Sequence, residues 1–346
     1  MIAMHSSEVP FNPGTAMSLD LIHRFSLGAS LVGLQWGSCG VPLRAFTRDG
    51  RESVLDTSSG TLLRSTSFAE GPVSRVICRP RSDRSFFVTT QGVLNDSDDS
   101  VPPLEAVRDA TWSPCGRFLS VLSGRGLTVW NADKRKLVTP PSRLEGFDLM
   151  AWNPTPADGF GQLAATVPSG VLLWSACGVT ALRVGPCSAP TSGLAWHPAG
   201  RHLAVAYQSG SVEIWDQLTD QSVRLAGAVD PVRRLLWDHK GSFLIGVSLT
   251  SLCVWNAQAA MHCGHADAWA QREAPLTDVA QRGNGNLLAV GNIEGRLELR
   301  RLSSPSACLR STEFASTVTH LAWSTSGRRL AVGIDGGQVC IVRVCR

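Results

Sequence analysis

The residue types that bind transition metals come together once in this 346-residue chain, in the segment His262-Cys263-Gly264-His265. Imidazole and thiolate groups are the usual ligands of zinc, but a structural zinc site takes four ligands, generally from two paired clusters. The sequence has no CxxC pair and no second His/Cys cluster. We therefore expect this segment to be an outer loop, and we expect no metal site.

Other catalytic and cofactor-binding patterns are also missing from the sequence. Lys240 lies in DHKGS without the glycine spacing of a phosphate-binding loop, and neither HExxH nor GxSxG occurs. The acidic residues Asp96, Asp98 and Asp99 lack the glycine and the terminal glutamate of a calcium-binding loop. We expect a protein that is not an enzyme, with no cofactor and no small-molecule substrate.

Three arginines share one position of a repeated motif, because Arg117, Arg201 and Arg328 each follow the glycine of a hairpin turn. Equivalent positions of a repeat lie on one face of a folded protein. Two interpretations are open: a weakly cationic rim that binds an acidic protein partner, or a soluble side chain that each hairpin end needs. The net charge of +4 is too small for a dense nucleic-acid-binding surface, so we expect no nucleic acid partner.

The motif that carries these arginines belongs to a unit that occurs eight times, at intervals of 34 to 44 residues. Six units have Trp at one fixed position, which we call the first tryptophan slot, and Cys78 and Gln281 occupy it in the other two. The six are Trp36, Trp112, Trp152, Trp196, Trp237 and Trp323. Four units have a second tryptophan slot 18 to 22 residues later, filled by Trp130, Trp174, Trp215 and Trp255. Ten of the 11 Trp residues therefore mark a structural repeat.

Each unit consists of short apolar runs rich in Val, Leu, Ile and Trp, separated by turns such as WSPCGR (112–117) and WHPAGR (196–201). Runs of this kind bounded by Pro and Gly predict strands joined by tight hairpins. Four short antiparallel strands in each unit of about 40 residues are typical of a β-propeller. One small sheet cannot cover its own faces, whereas blades stacked around an axis cover each other and leave few exposed edges.

The sequence predicts an all-β propeller with eight four-stranded blades, or seven if the short unit at 74–96 is irregular. The last unit ends after its third strand, so the segment LDLIHRFSL (19–27) is predicted to supply the fourth strand and close the ring. We expect residues 1–18 to form a flexible tail and residues 19–346 to form a single propeller domain.

The units resemble the WD40 repeat family over residues 20–346. At the second tryptophan slot, Trp215-Asp216 is the one literal Trp-Asp pair. Three units depart from it, with Trp130-Asn131, Trp174-Ser175 and Trp255-Asn256. The resemblance implies a propeller that serves as a protein-interaction platform. The departures imply that the family's buried Trp–Ser/Thr–His–Asp hydrogen-bond network is missing from most blades.

From residue 108 onward, the order of units also resembles the aladin-type WD40 nucleoporins, in segments such as DATWSPCGRFLSVL (109–122) and HLAWSTSGRRLAV (320–332). That resemblance implies a structural nucleoporin at the nuclear envelope, partnered with a transmembrane nucleoporin and other pore subunits. The alternative is a WD40 adaptor of another assembly, such as a coat, ubiquitin-ligase or cytoskeletal complex, with a cytoplasmic location. No run of about 18 apolar residues occurs, so we expect no membrane span.

Overall fold

The described part of the chain is a ring of eight antiparallel sheets, an eight-bladed β-propeller, which confirms the predicted fold. Blades are numbered here in chain order. The computed structural model describes residues 17–345 apart from 38–39, 69–71, 81, 83, 90–91, 96–105, 139–145, 156–160, 169, 176–179, 184–189, 229, 258, 260–266, 271–273 and 284. The predicted tail and the candidate loops at 96–99 and 262–265 therefore lie outside the described residues, except that residues 17 and 18 are described.

The first four blades are built from consecutive strands. Blade 1 contains β2 (Leu31–Trp36), β3 (Leu43–Thr47), β4 (Arg51–Asp56) and β5 (Thr61–Ser67). Blade 2 contains β6 (Val73–Cys78), β7 (Ser85–Thr89) and β8 (Gly92–Asn95). Blade 3 contains β9 (Asp109–Trp112), β10 (Phe118–Ser123), β11 (Gly126–Asn131) and β12 (Lys136–Leu137). Blade 4 contains β13 (Met150–Trp152), β14 (Gln162–Val167), β15 (Gly170–Ser175) and β16 (Thr180–Arg183).

The last four blades follow the same order until the chain returns to its beginning. Blade 5 contains β17 (Thr191–Trp196), β18 (His202–Tyr207), β19 (Val212–Asp216) and β20 (Ser222–Leu225). Blade 6 contains β21 (Arg234–Trp237), β22 (Phe243–Val247), β23 (Ser251–Asn256) and β24 (Asp267–Ala270). Blade 7 contains β25 (Leu276–Gln281), β26 (Leu287–Asn292), β27 (Arg296–Arg301) and β28 (Ser304–Glu313). Blade 8 contains β29 (Val318–Trp323), β30 (Arg329–Ile334), β31 (Gln338–Cys345) and β1 (Ser18–Ser26).

The ring is closed by β1, which pairs antiparallel with β31 from Ser18 opposite Cys345 to Ser26 opposite Gln338. This confirms the prediction that the segment after the tail supplies the missing strand. Without β1, the edge of β31 would leave its backbone groups unpaired, which is costly for an apolar strand. Phe25 of β1 is buried in the cluster that joins blades 8 and 1. The first and last parts of the chain are therefore joined by backbone pairing and by apolar burial.

The two tryptophan slots of a blade lie in one row across the sheet. In blade 5, Trp196 is opposite Leu203 on the second strand, and Leu203 is opposite Trp215 on the third. The same row occurs in blades 3, 4 and 6, as Trp112–Leu119–Trp130, Trp152–Leu163–Trp174 and Trp237–Leu244–Trp255. Residues opposite each other in antiparallel strands point to the same face. Each row therefore presents a flat apolar surface to a neighbouring blade.

That surface packs against the preceding blade. In the cluster between blades 5 and 6, Trp237, Leu244 and Trp255 lie with Ala204 and Ile214 of blade 5. All ten slot tryptophans are buried except Trp323, which is partly buried. Large aromatic side chains supply most of the apolar area that can be removed from water at such an interface. The tryptophan repeat therefore forms the blade-to-blade core.

Candidate protein-interaction face

The hydrogen bonds of the first-slot tryptophans link neighbouring inner strands around the ring. Trp237 donates its indole N–H to the carbonyl oxygen of Ala195, which precedes the first slot of blade 5, at 3.1 Å. Four more tryptophans donate to the equivalent carbonyl of the preceding blade: Trp36 to Ala322, Trp152 to Thr111, Trp196 to Ala151 and Trp323 to Ala280, at 2.8 to 3.2 Å. The inner strands are thus fixed to one another by a repeated polar contact as well as by packing.

This pattern is interrupted between blades 2 and 3. The indole nitrogen of Trp112 is buried and has no hydrogen-bond partner among the described residues. In blade 2 the first slot holds Cys78 instead of Trp, and the guanidinium of Arg79 lies over the Trp112 ring, 5.1 Å from its centroid. The sequence identified Cys78 as the irregular slot but gave no sign of this unpaired indole.

The turns that follow the first slots form one face of the disc, which we call the hairpin face. It consists of the first-to-second strand turns, such as 113–117, 197–201 and 324–328, and the third-to-fourth strand turns of the same blades. Gly241 shows why these turns need glycine: its φ is +72°, and a Cβ there would lie 1.8 Å from Nε2 of His197 in blade 5. His197 Nδ1 accepts the Ala199 N–H at 3.0 Å, so Nε2 carries the proton and donates to the Gly241 carbonyl at 3.1 Å. Neighbouring hairpins therefore contact each other directly.

The residue after the second slot closes the third-to-fourth strand turn. Asp216 Oδ1 accepts the backbone N–H of Leu218 at 2.9 Å. Asn131 Oδ1 accepts the N–H groups of Asp133 and Lys134 in the same way, both at 3.1 Å. Asn and Asp side chains share this turn chemistry. The Trp-Asn pair that departs from the literal Trp-Asp motif therefore keeps the function of the motif in the turn.

Two of the second-slot indoles donate to groups other than the inner-strand carbonyls of the preceding blade. Trp215 donates to the buried carboxylate of Glu213 at 3.1 Å, and Trp255 donates to the carbonyl of Ala226 at 2.8 Å. Neither donates to the Ser/Thr–His pair of the WD40 network. At these two blades the bonding agrees with the expectation drawn from the degenerate motif.

The three predicted rim arginines lie on the hairpin face, but their surroundings differ. Arg117 pairs with Asp133 at 2.9 Å, and Arg201 holds Asp216 through two hydrogen bonds of 3.0 and 2.6 Å. The hydrogen bond from Arg201 is the main reason that the pKa of the Asp216 carboxyl lies well below its usual range. Arg328 is exposed and makes no ion pair with any described residue. The sequence could not distinguish these cases, because the acidic partners come from third-to-fourth strand turns.

The opposite ends of the inner strands carry arginine–aspartate pairs between blades. Arg234 of blade 6 donates to Asp278 of blade 7 at 2.9 Å, and the other oxygen of Asp278 accepts the N–H of Leu321 in blade 8 at 2.8 Å. Arg75 of blade 2 pairs with Asp109 of blade 3 in the same manner. These carboxylates therefore hold blades together. The repeat pattern in the sequence gave no sign of these arginine–aspartate pairs.

The described residues offer no group of three or more His, Cys, Asp or Glu side chains that could hold a metal ion. Within the same residues, no helix has the length and apolar character needed to cross a membrane. The described residues instead present repeated hairpin turns on one face of the ring.

The chain contains WD40 repeats. The family model of the WD domain, G-beta repeat, matches residues 179–216, which include most of blade 5. The model of the Anaphase-promoting complex subunit 4 WD40 domain matches residues 283–346. The second match begins in the first hairpin of blade 7 and includes three strands each of blades 7 and 8.

Two similar proteins from Arabidopsis thaliana extend the likeness over more of the chain. Protein FIZZY-RELATED 2 is 24% identical over an alignment of 298 residues that covers 80% of this chain and 56% of that protein. Protein FIZZY-RELATED 1 is 26% identical over 165 residues, 47% of this chain and 34% of that protein. The chain thus spans between about a third and just over half of the length of these relatives.

Among solved structures, the computationally designed Ika8 protein is similar to this chain with a TM-score of 0.74. The match covers 93% of this chain and 99% of the designed protein at 15% sequence identity. At that identity the likeness concerns the fold alone.

Proposed function

We propose that this chain is a WD40 platform that acts as an adaptor subunit of a ubiquitin-ligase assembly related to the anaphase-promoting complex. The observation that carries the proposal is the match of residues 283–346 to the Anaphase-promoting complex subunit 4 WD40 domain. The FIZZY-RELATED relatives support a WD40 role over a longer stretch of the chain.

The geometry of the ring suits an adaptor. Closure by β1, the indole-to-carbonyl bonds and the interblade ion pairs each fix one blade to the next. A scaffold of this kind holds its loops in defined relative positions, so a partner can contact several turns at once with little loss of conformational entropy.

The aladin-type nucleoporin interpretation has less support. It depends on the order of units and on segments such as 109–122 and 320–332, whose Trp, Pro and Gly positions are features of WD40 repeats in general. The matched family at 283–346 carries the name of a ubiquitin-ligase subunit instead. With the adaptor role we propose a cytoplasmic location rather than one at the nuclear envelope.

Affinity purification of the tagged full chain, followed by mass spectrometry, tests the proposal. We expect anaphase-promoting-complex subunits to co-purify under mild conditions, and we expect a fluorescent fusion to be absent from the nuclear rim. Co-purification of a transmembrane nucleoporin and other pore subunits, with a punctate nuclear-rim signal, would favour the nucleoporin and overturn the adaptor proposal. The same tag on the designed Ika8 propeller is a matched control for association with the fold alone.

A further inference from the structure

A pocket of about 790 Å³ opens on the hairpin face at blades 7 and 8. Its lining includes four arginines, Arg282, Arg328, Arg329 and Arg343, together with Ser326. The remaining lining residues are Met17, Val344 and Cys345. None of these described lining residues is acidic. We call this site the arginine pocket.

The fold brings the four guanidinium groups together from three different segments. Arg282 follows the first slot of blade 7 and lies against Trp323 of blade 8, with its guanidinium carbon 5.9 Å from the ring centroid. Gly327 permits this approach, because a Cβ at that position would lie 2.2 Å from Nε of Arg282. Arg328 and Arg329 follow Gly327 in the same hairpin, and Arg343 lies near the end of β31.

The sheet register places two of these arginines opposite each other. Arg329 on β30 is directly opposite Arg343 on β31, and like charges at such positions destabilise a sheet. Asp20 on β1 is opposite Arg343 on the other side, but its carboxylate accepts the Ser18 hydroxyl and forms no ion pair with Arg343. The hydroxyl of Thr57, a neutral partner, accepts from Arg329 at 2.9 Å. A bound anion would relieve this repulsion.

The other two predicted rim arginines, Arg117 and Arg201, do have acidic partners. Arg117 and Arg201 are neutralised by Asp133 and Asp216, whereas Arg328 and Arg343 are exposed and have no ion pair within the described part of the chain. The cationic character expected of the whole rim is therefore concentrated at one place. Arginine is also the side chain whose planar fork matches carboxylate and phosphate groups with two parallel hydrogen bonds.

We propose that the arginine pocket binds an acidic segment of a partner protein, whose carboxylate or phosphate groups are held by Arg328 and Arg343. The proposal rests on the platform role proposed above and adds the chemistry of one partner. The pocket favours a short peptide, because a peptide can enter it and contact the half-buried Arg329 as well as the exposed Arg328 and Arg343. The chain's net charge of only +4 and the clustering of four arginines in one pocket favour a short peptide over a nucleic acid backbone.

Fluorescence anisotropy with three labelled probes tests the proposal: hexaglutamate, a glycine-serine peptide with two phosphoserines, and the same peptide without phosphate. We expect the full chain to bind one or both anionic probes and to ignore the unphosphorylated peptide. The double variant Arg328→Glu/Arg343→Glu is expected to weaken binding by about tenfold or more, since each arginine makes a charge-assisted contact. Preference for hexaglutamate or for the phosphopeptide identifies the anion.

The matched control is Arg48→Glu/Arg64→Glu, which changes the net charge equally at exposed arginines of blade 1. We expect it to bind like the unsubstituted protein, and circular dichroism should show that both variants are folded. The proposal is overturned if neither anionic probe binds, or if both double variants weaken binding equally. It is also overturned if only oligo(dT) or phosphatidylserine vesicles bind in a manner that depends on Arg328 and Arg343.

This outcome is separable from that of the adaptor proposal. If the pocket variant loses peptide binding but the unsubstituted chain recovers no anaphase-promoting-complex subunit, the pocket is supported and the assembly is wrong. If those subunits co-purify with the pocket variant and no anionic probe binds, the adaptor role is supported and the pocket proposal is wrong.

Discussion

At the scale of single residues, identical side chains in one repeat slot have different energetic roles. Trp237 donates its indole N–H to Ala195, whereas the indole nitrogen of Trp112 is buried without a partner in the described structure. An unpaired buried donor costs free energy that a bonded one does not. In blade 7, the buried Arg300 occupies the second slot and donates to Glu298 and to the carbonyl of Pro305. A repeat slot therefore determines where a side chain packs, whereas the neighbouring residues determine which hydrogen bonds it makes.

Replacement of each tryptophan by phenylalanine separates packing from hydrogen bonding. Both Trp112→Phe and Trp237→Phe remove similar volume, but only the second breaks a hydrogen bond. We expect Trp237→Phe to lower the free energy of unfolding by about 1 kcal/mol more than Trp112→Phe does. Urea denaturation followed by circular dichroism measures the difference. An equal loss of unfolding free energy at the two positions would contradict the interpretation that the unpaired indole N–H of Trp112 destabilises the fold.

At the scale of elements, the first hairpins depend on close contact with the preceding blade. Gly241 lies in the first hairpin of blade 6, whereas Gly210 lies in the turn between the second and third strands of blade 5; both have positive φ, of +72° and +88°. A Cβ at Gly210 would meet no atom within 4 Å, whereas one at Gly241 would collide with the His197 ring. Both positions therefore need a residue that tolerates positive φ, but only Gly241 also has no room for a side chain.

We expect Gly210→Ala to cost about 1 kcal/mol, the ordinary penalty of a left-handed conformation with a side chain. Gly241→Ala should cost clearly more, because His197 must also move and lose its bond to the Gly241 carbonyl. Thermal denaturation of both variants tests this order. Similar melting temperatures for the two would mean that the hairpins of blades 5 and 6 are not in firm contact.

The third-to-fourth strand turn of blade 5 should respond to pH. Because Arg201 lowers the folded-state pKa of Asp216, this carboxylate stabilises the fold above its ordinary pKa of about 4. That contribution is lost as the pH falls through the ordinary value toward the lower folded one. Asp216→Asn keeps an oxygen for the Leu218 N–H, but it removes the charge and the second oxygen, which accepts the 2.6 Å hydrogen bond from Arg201.

We therefore expect Asp216→Asn to lower the melting temperature slightly at neutral pH and to lower it less as the pH falls below about 4. Glu294→Gln is the control, because Glu294 is exposed and forms no ion pair within the described residues. A difference between Asp216→Asn and the unsubstituted protein that stays constant with pH would contradict the assignment of the stabilising charge to Asp216.

At the scale of the whole molecule, the sequence was sufficient to predict the ring of blades but not the interactions between side chains on its surface. Recurring Trp residues located six of the eight first slots, and alignment of the other two units with them located Cys78 and Gln281, since each blade repeats the same order of strands and turns. It also located the closing strand, predicted at 19–27 and observed at Ser18–Ser26. The neutralisation of Arg117 by Asp133 and the convergence of Arg282 with Arg343 depend on turn conformations and on neighbouring blades, which no repeat alignment contains.

Closure makes the stability of the ring depend on β1. Phe25 is 8% exposed and packs with Leu31 of blade 1 and Val339 and Ile341 of blade 8, while Leu21 of the same strand is 49% exposed. If β1 joins blades 8 and 1 into one cooperative unit, Phe25→Ala should lower the free energy of unfolding of the entire propeller by about 3 to 4 kcal/mol. Leu21→Ala should change it by less than about 1 kcal/mol.

Urea denaturation followed by tryptophan fluorescence measures both effects, because the tryptophan slots report on blades 1, 3 to 6 and 8. A single transition, shifted to lower urea concentration in Phe25→Ala, is the expected result, since every blade loses support when the ring opens. An additional early transition confined to part of the fluorescence change would contradict cooperative closure. It would mean instead that blades next to β1 separate while the remaining blades stay stacked as an open array, as in a linear repeat protein.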